Sequence, residues 1–251
     1  MQRWCSGPVT VKMMAVTPPA REGIHISKLL TPSEAMARLA PLYGTPHLVP
    51  SHDALAELIL TVLSQNTADT NSGRAFVQLM RRYNSWDAIA EAPLEEVVAT
   101  IQNGGLAQQK APRIQAILRA IKEKSGSWDL TFLETLPLEE ARSWLRSLPG
   151  VGPKTAACVL LFALGRPALP VDTHVERVAK RLGLAGPKAT AEQTQAQLET
   201  LVEEADYYTF HMLFIKHGRR TCVARTPACG RCPLEPCCPS SELRVQDSTS
   251  S

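Results

Sequence analysis

Cys222, Cys229, Cys232 and Cys238 are separated by six, two and five residues. Four thiolates in one short loop suit a metal centre that prefers soft ligands. Gly230, Pro227 and Pro233 let the chain turn back on itself within that span. A structural zinc also uses a C-x2-C pair, but zinc modules commonly use two close pairs, and this segment has one. The single-loop spacing favours a [4Fe–4S] cluster. Cys237 adjoins Cys238, so ligand chemistry alone leaves the fourth position open between them. Five of the chain's seven cysteines lie in this short span, which points to a metal site in a reducing compartment and away from a disulfide framework. Cys158 lies in an apolar stretch and reads as a small core residue.

A second constellation precedes the cysteines. The segment LPGVGPKTAACVLLFALG, residues 148–165, places two glycines in a turn and opens a helix. The backbone N–H groups of Gly150, Val151 and Gly152, with the positive end of that helix, are suited to holding a phosphate. Lys154 sits at the helix start, where a cation is electrostatically misplaced. A positively biased, partly desolvated setting is expected to lower its amine pKa and make it a nucleophile. Downstream, in VDTHVERVAKRLGL (171–184), Thr173 and Glu176 are expected to form a capping box. Asp172 precedes that box: it faces Lys154 as a carboxylate, caps the helix itself, or does both.

These groups must be held by helices. Leu55, Leu58, Ile59, Val62 and Leu63 fall on one helical face, as do Leu94, Val97, Val98 and Ile101. Ile114, Ile117, Leu118 and Ile121 form a third stripe, and Phe210, Leu213 and Phe214 a fourth. Alternating strand patterns are absent, and turns at 103–105, 149–152 and 165–170 punctuate the stripes. The expectation is an all-α protein of roughly ten short helices, with a break near Gly165–Pro170. The chain is long enough for a substantial core, and its net charge of +3 is only mildly basic. No apolar run nears the ~20 residues of a membrane helix, and no secretory signal is evident. An intracellular protein is expected, in the cytoplasm around the nucleoid or in a nucleus, acting as a monomer. Residues 1–29 read as a loose extension, with Met13 and Met14 as alternative starts, and 241–251 as a polar, disordered tail.

LPGVGPKTA, VDTHVERV and the four-cysteine loop, in that order, resemble the endonuclease III family of helix-hairpin-helix glycosylases. The likeness covers about residues 30–240. It implies a six-helix barrel domain at 48–166 and an iron–sulfur cluster domain built from 30–47 and 167–240. It implies Lys154 as nucleophile, Asp172 as the activating or charge-stabilising carboxylate, and Cys238 as the fourth cluster ligand. LSQNTADTNSGRAF (63–76) resembles the loop that fills the gap left by an extruded base, with Asn66 at the family's glutamine position. NGGLAQQKAPRI (103–114) resembles the loop that wedges an apolar residue into the duplex, with Leu106 as the wedge. One basic residue, Arg225, lies between Cys222 and Cys229, where the family often has more, so Lys216, Arg219 and Arg220 are expected to take more of the phosphate contact. Lys110, outside the hairpin, is expected to be dispensable for the chemistry.

The resemblance implies a bifunctional DNA glycosylase and abasic-site lyase on double-stranded DNA, acting on damaged, oxidised pyrimidines. A base must leave the stack before its glycosidic carbon is reachable. The alternatives are mismatch glycosylases for adenine or thymine, a UV-dimer glycosylase, or a non-catalytic DNA-binding module. The adenine-specific family is expected to carry a glutamate where this chain has Thr61, and to lack the lysine.

Overall fold

In the computed structural model of the protein, residues 29–241 are described. Apart from Leu29 and Ser241, the expected N-terminal extension and C-terminal tail lie outside them. Ser241, the first residue of the expected tail, is buried and donates to Glu235 at 2.8 Å.

Among the described residues there are eleven α-helices and no strand. They are α1 (Pro32–Tyr43), α2 (Ala54–Ser64), α3 (Asp69–Arg82), α4 (Trp86–Glu91), α5 (Leu94–Thr100), α6 (Ala107–Ser125), α7 (Leu138–Arg146), α8 (Pro153–Cys158), α9 (Thr173–Leu182), α10 (Ala191–Leu201) and α11 (Tyr207–Arg220). α8 runs on into a π-helical turn, Val159–Ala163. None of these helices is long and apolar enough to cross a membrane.

The stripes sort the helices into two cores. Leu58, Ile59, Leu79, Ile114, Ile117 and Leu160 are fully buried in the first, which α2 to α8 surround. Truncating one of these to alanine costs about 2–5 kcal/mol. Leu39, Val175, Phe210 and Phe214 centre the second, which joins α1 to α9 and α11. The expected stripe on α5 is narrower than its sequence suggested. Val97 and Ile101 are buried, but Leu94 is 37% exposed because the first turn of so short a helix projects past the core.

The two cores meet along α8 and its π-turn. Leu160 belongs to the first core and its neighbour Leu161 to the second. A group at the start of α8 therefore lies beside the seam, and α9 begins on the other side of it.

Candidate functional site

Two loops project from the first core. α2 ends at Ser64, and Asn66 follows in a left-handed conformation, φ 53°, with its side chain exposed. Leu106 is also left-handed, φ 52°, and caps the start of α6 while 46% exposed. Gly104 cannot carry a side chain, since a Cβ there would lie 2.8 Å from the Cβ of Ala75. The helical packing of α3 thus fixes the loop that presents Leu106.

Lys110, expected to be dispensable for the chemistry, is not a solvent-facing basic residue. It is 3% exposed, and its ammonium donates to Leu63 O (2.5 Å), Thr67 Oγ1 (2.6 Å) and Gly104 O (3.0 Å). The basic residue lies within the apolar stripe of α6, between Ala107 and Ala111, both buried, and this placement was the legible sign. One turn on, Arg113 donates to Gln65 Oε1 at 2.7 Å. It also packs under the hairpin, where a Cβ on Gly150 would come 2.9 Å from Arg113 Nε.

The hairpin turns at Gly150, φ 73°, and Gly152 caps α8 with extended backbone and no side-chain cap. Val151 departs from an exposed, phosphate-facing reading. Its side chain is buried and its N–H is spent on Leu148 O at 3.2 Å. The amides of Gly150 and Gly152 have no backbone partner among the described residues, so with the uncapped first turn of α8 they are the donors left for a phosphate.

Lys154 projects from this turn into a pocket of acidic groups. Burial works to lower its pKa, but Cys158, Asp172 and Glu57 pull the other way and leave it raised. The expected lowering is therefore not met in the free protein. Burial pushes the Cys158 thiol up, against the charge of Lys154 and a hydrogen bond between the two groups. Burial also raises the Glu57 carboxyl, against the hydroxyl of Thr61, which donates to it at 3.1 Å, and the charge of Lys154.

Asp172 is itself the N-cap of α9. Its Oδ1 accepts from the backbone N–H of His174 at 2.9 Å and of Val175 at 2.8 Å. Thr173 is the first helical residue and Glu176 turns outward to Lys180, so the expected capping box does not form. A short aspartate reaches both orphan amides of the first turn, and a threonine already inside the helix cannot. His211, from α11, completes the surroundings. It meets Pro170 O through Nδ1 at 2.8 Å, and its pKa falls to about 4, chiefly through burial.

Sequence reasoning missed Glu57, Cys158 and His211 as neighbours of this site. Glu57 reads as an acid favoured in a first helical turn, Cys158 as core, and His211 as part of the apolar α11 face. Only their convergence on Lys154 and Asp172 gives them meaning.

At the other end of α9, Cys222, Cys229, Cys232 and Cys238 line one cavity, with apolar Val178, Leu182 and Leu234. Cys237 does not line it. Burial pushes the Cys238 thiol up to about 11, and Cys222, Cys232 and Cys229 add to the shift through mutual repulsion of their charged forms. Among the described residues no three His, Cys, Asp or Glu side chains are close enough to hold a single metal ion. The sulfurs ring a space. Four soft donors lining one cavity fit a bound cationic centre, which stabilises thiolates that would otherwise repel. Arg181 closes the ring from α9, donating to Cys222 Sγ (3.3 Å), Val223 O (2.8 Å) and Ala224 O (2.8 Å).

The basic residues divide differently than expected. Arg225 and Arg220 are exposed. Lys216 is turned inward and donates to Tyr43 O at 3.0 Å, so it does not belong to an open basic face. Arg219 pairs with Asp69 at 2.7 Å across the base of the loop that follows Asn66.

Residues 59–204 match the family described as HhH-GPD superfamily base excision DNA repair protein. Endonuclease III of Thermotoga maritima is 37% identical over 186 residues, 74% of this chain and 83% of that protein. A longer relative from Arabidopsis thaliana is 36% identical over 162 residues, and the chain spans 55% of its length. Among solved structures, a trapped covalent intermediate of endonuclease III with DNA, in an estranged-adenine complex, is 30% identical with a TM-score of 0.73. The match covers 86% of this chain and all of that one.

Proposed function

We propose, for a chain that belongs to the endonuclease III branch of the HhH-GPD base excision repair superfamily, that Lys154 is its nucleophile and oxidised pyrimidines are its preferred lesions. The protein is a DNA glycosylase and abasic-site lyase, and it acts on double-stranded DNA. The observation that carries the assignment is Lys154 in the first turn of an uncapped hairpin helix, its charge favoured by Cys158, Asp172 and Glu57.

The chemistry follows from those groups. The raised pKa means that Lys154 reaches the reaction protonated, and its proton must pass to a base before attack. Asp172, fixed by two backbone N–H groups, takes that proton or stabilises the cation that develops at the sugar. The amine then adds to C1′ as the glycosidic bond breaks, and the base leaves with the bonding pair. The N,O-acetal opens by cleavage of C1′–O4′ to a Schiff base, loss of a proton from C2′ expels the 3′ phosphate, and water releases the lysine. Leu106 enters the stack and Asn66 faces the orphaned strand while the nucleotide is outside. The amides of Gly150 and Gly152 hold a backbone phosphate.

Cys222, Cys229, Cys232 and Cys238 would hold a [4Fe–4S] cluster, whose contribution when bound is to crosslink the segment that carries Arg225. Arg225 then meets a phosphate as a positioned charge.

A panel of duplexes with one lesion each, scored separately for base release and strand cleavage, tests this reading. Release and cleavage together on oxidised pyrimidines, with borohydride trapping a protein–DNA adduct, is the expected result. Base release from adenine mismatches without trapping would replace it with the monofunctional reading.

A further inference from the structure

Asn66 lies between α2 and α3 and Leu106 just ahead of α6, yet both must enter the duplex when a nucleotide is extruded. Their loops are tied together at one point. The Lys110 ammonium spends its three hydrogens on Leu63 O and Thr67 Oγ1 of one loop and on Gly104 O of the other. Thr67 Oγ1 reinforces the tie by donating to Gly104 O at 2.6 Å. These acceptors bracket the two tips, three residues before and one after Asn66, and two before Leu106. The carbonyl of Leu63 is in the last turn of α2, where no helical N–H remains to meet it.

None of the three partners is a carboxylate. A lysine held here keeps an ammonium buried against dipoles alone, and burial lowers its pKa accordingly. A side chain serving only to fill the α6 interface would not need that charge.

We propose that Lys110 is a positioning residue that makes the Asn66 and Leu106 loops one rigid body, so that the gap-filling group and the wedge enter the helix together. The inference rests on the functional reading of Asn66 and Leu106 given above. Leu106 opens α6 and Lys110 lies one turn in, so its side chain reaches back toward the N-terminus beneath the loop it holds. The ammonium does not touch substrate. It acts through the placement of the two tips, and a displacement of about 1 Å there is worth up to ~10²-fold in rate.

The test compares Lys110→Met with wild type on two substrates. A duplex with 2-aminopurine beside an oxidised pyrimidine reports extrusion by stopped-flow fluorescence. A single-stranded abasic oligonucleotide needs neither wedge nor gap filling, and borohydride trapping on it reports the chemistry alone. Lys110→Met is expected to slow extrusion and base removal about 10- to 100-fold, with single-strand trapping at the wild-type rate. Combining it with Leu106→Ala is expected to cost little beyond either change alone, because both remove one function. If Lys110→Met does not fold, Thr67→Val loosens the same tie and carries the test, with a smaller effect in the same direction. Equal loss on both substrates, unchanged extrusion in the folded variant, or fully additive effects with Leu106→Ala would overturn the proposal. Failure of wild type to trap on the single strand would instead overturn the Lys154 assignment.

Discussion

Asn66 and Leu106 share a left-handed backbone, at φ 53° and 52°, on loops that meet at the Lys110 ammonium. Asparagine tolerates this region, but for a leucine it costs about 1–2 kcal/mol. Strain of this kind persists where the surroundings over-determine it, and it gathers at functional sites.

Leu106→Gly therefore separates stability from activity. Glycine adopts φ 52° freely and is acceptable at a helix N-cap, so the melting temperature should stay level or rise, whereas Leu106→Ala should show no such relief. Both variants should slow base removal from duplex DNA. Thermal melts alongside single-turnover kinetics decide it, and full activity in Leu106→Gly would remove Leu106 from the extrusion step.

Lys154→Gln should abolish borohydride trapping and strand cleavage while duplex binding persists, because the hairpin donors are backbone groups. Asp172→Asn keeps a side-chain oxygen for the His174 and Val175 amides, so the fold should hold while base removal slows by roughly 10²–10⁴-fold. Asp172→Ala should add a loss of about 1 kcal/mol in stability by uncapping α9. Trapping by Lys154→Gln at the wild-type rate would show that another amine attacks.

Purified protein should be brown and hold about four irons per chain, the content of one [4Fe–4S] centre. Replacing Cys222, Cys229, Cys232 or Cys238 by serine should release the iron, and Cys237→Ser should retain it, because Cys237 does not line the cavity. Iron analysis and visible absorption report the result. Stoichiometric zinc after anaerobic purification would sink the cluster assignment.

His211 makes the fold sensitive to acid. Its pKa is about 4 in the folded protein, against about 6.5 unfolded, so the unfolded chain binds the extra proton first. The stability it contributes is complete above about pH 6.5 and is lost as pH falls toward 4. The scale is on the order of 3 kcal/mol. Melting temperatures measured across that window should fall, and His211→Gln should flatten the fall. An unchanged slope in the variant would show that His211 is not the group responsible.

The sequence by itself determined what depends on residues close in the chain. Stripes such as Ile114, Ile117, Leu118 and Ile121 declare a buried helical face because side-chain direction repeats every 3.6 residues, and all four are fully buried. The PGVG turn is similarly local, since only glycine takes φ 73° there without strain. Tertiary structure decided what depends on groups far apart. Asp172 instead of Thr173 caps α9, a choice set by how the chain enters from Pro170 under His211. Lys110 lies inside because acceptors from two remote loops converge on it. The proton on Lys154 is held by Cys158 together with Asp172, 18 residues after it, and Glu57, 97 residues before it. Which cysteine faces the cavity likewise follows from the path of the last turn against α9. Charge and burial act through space, and their sums exist only once the two cores have closed around α8.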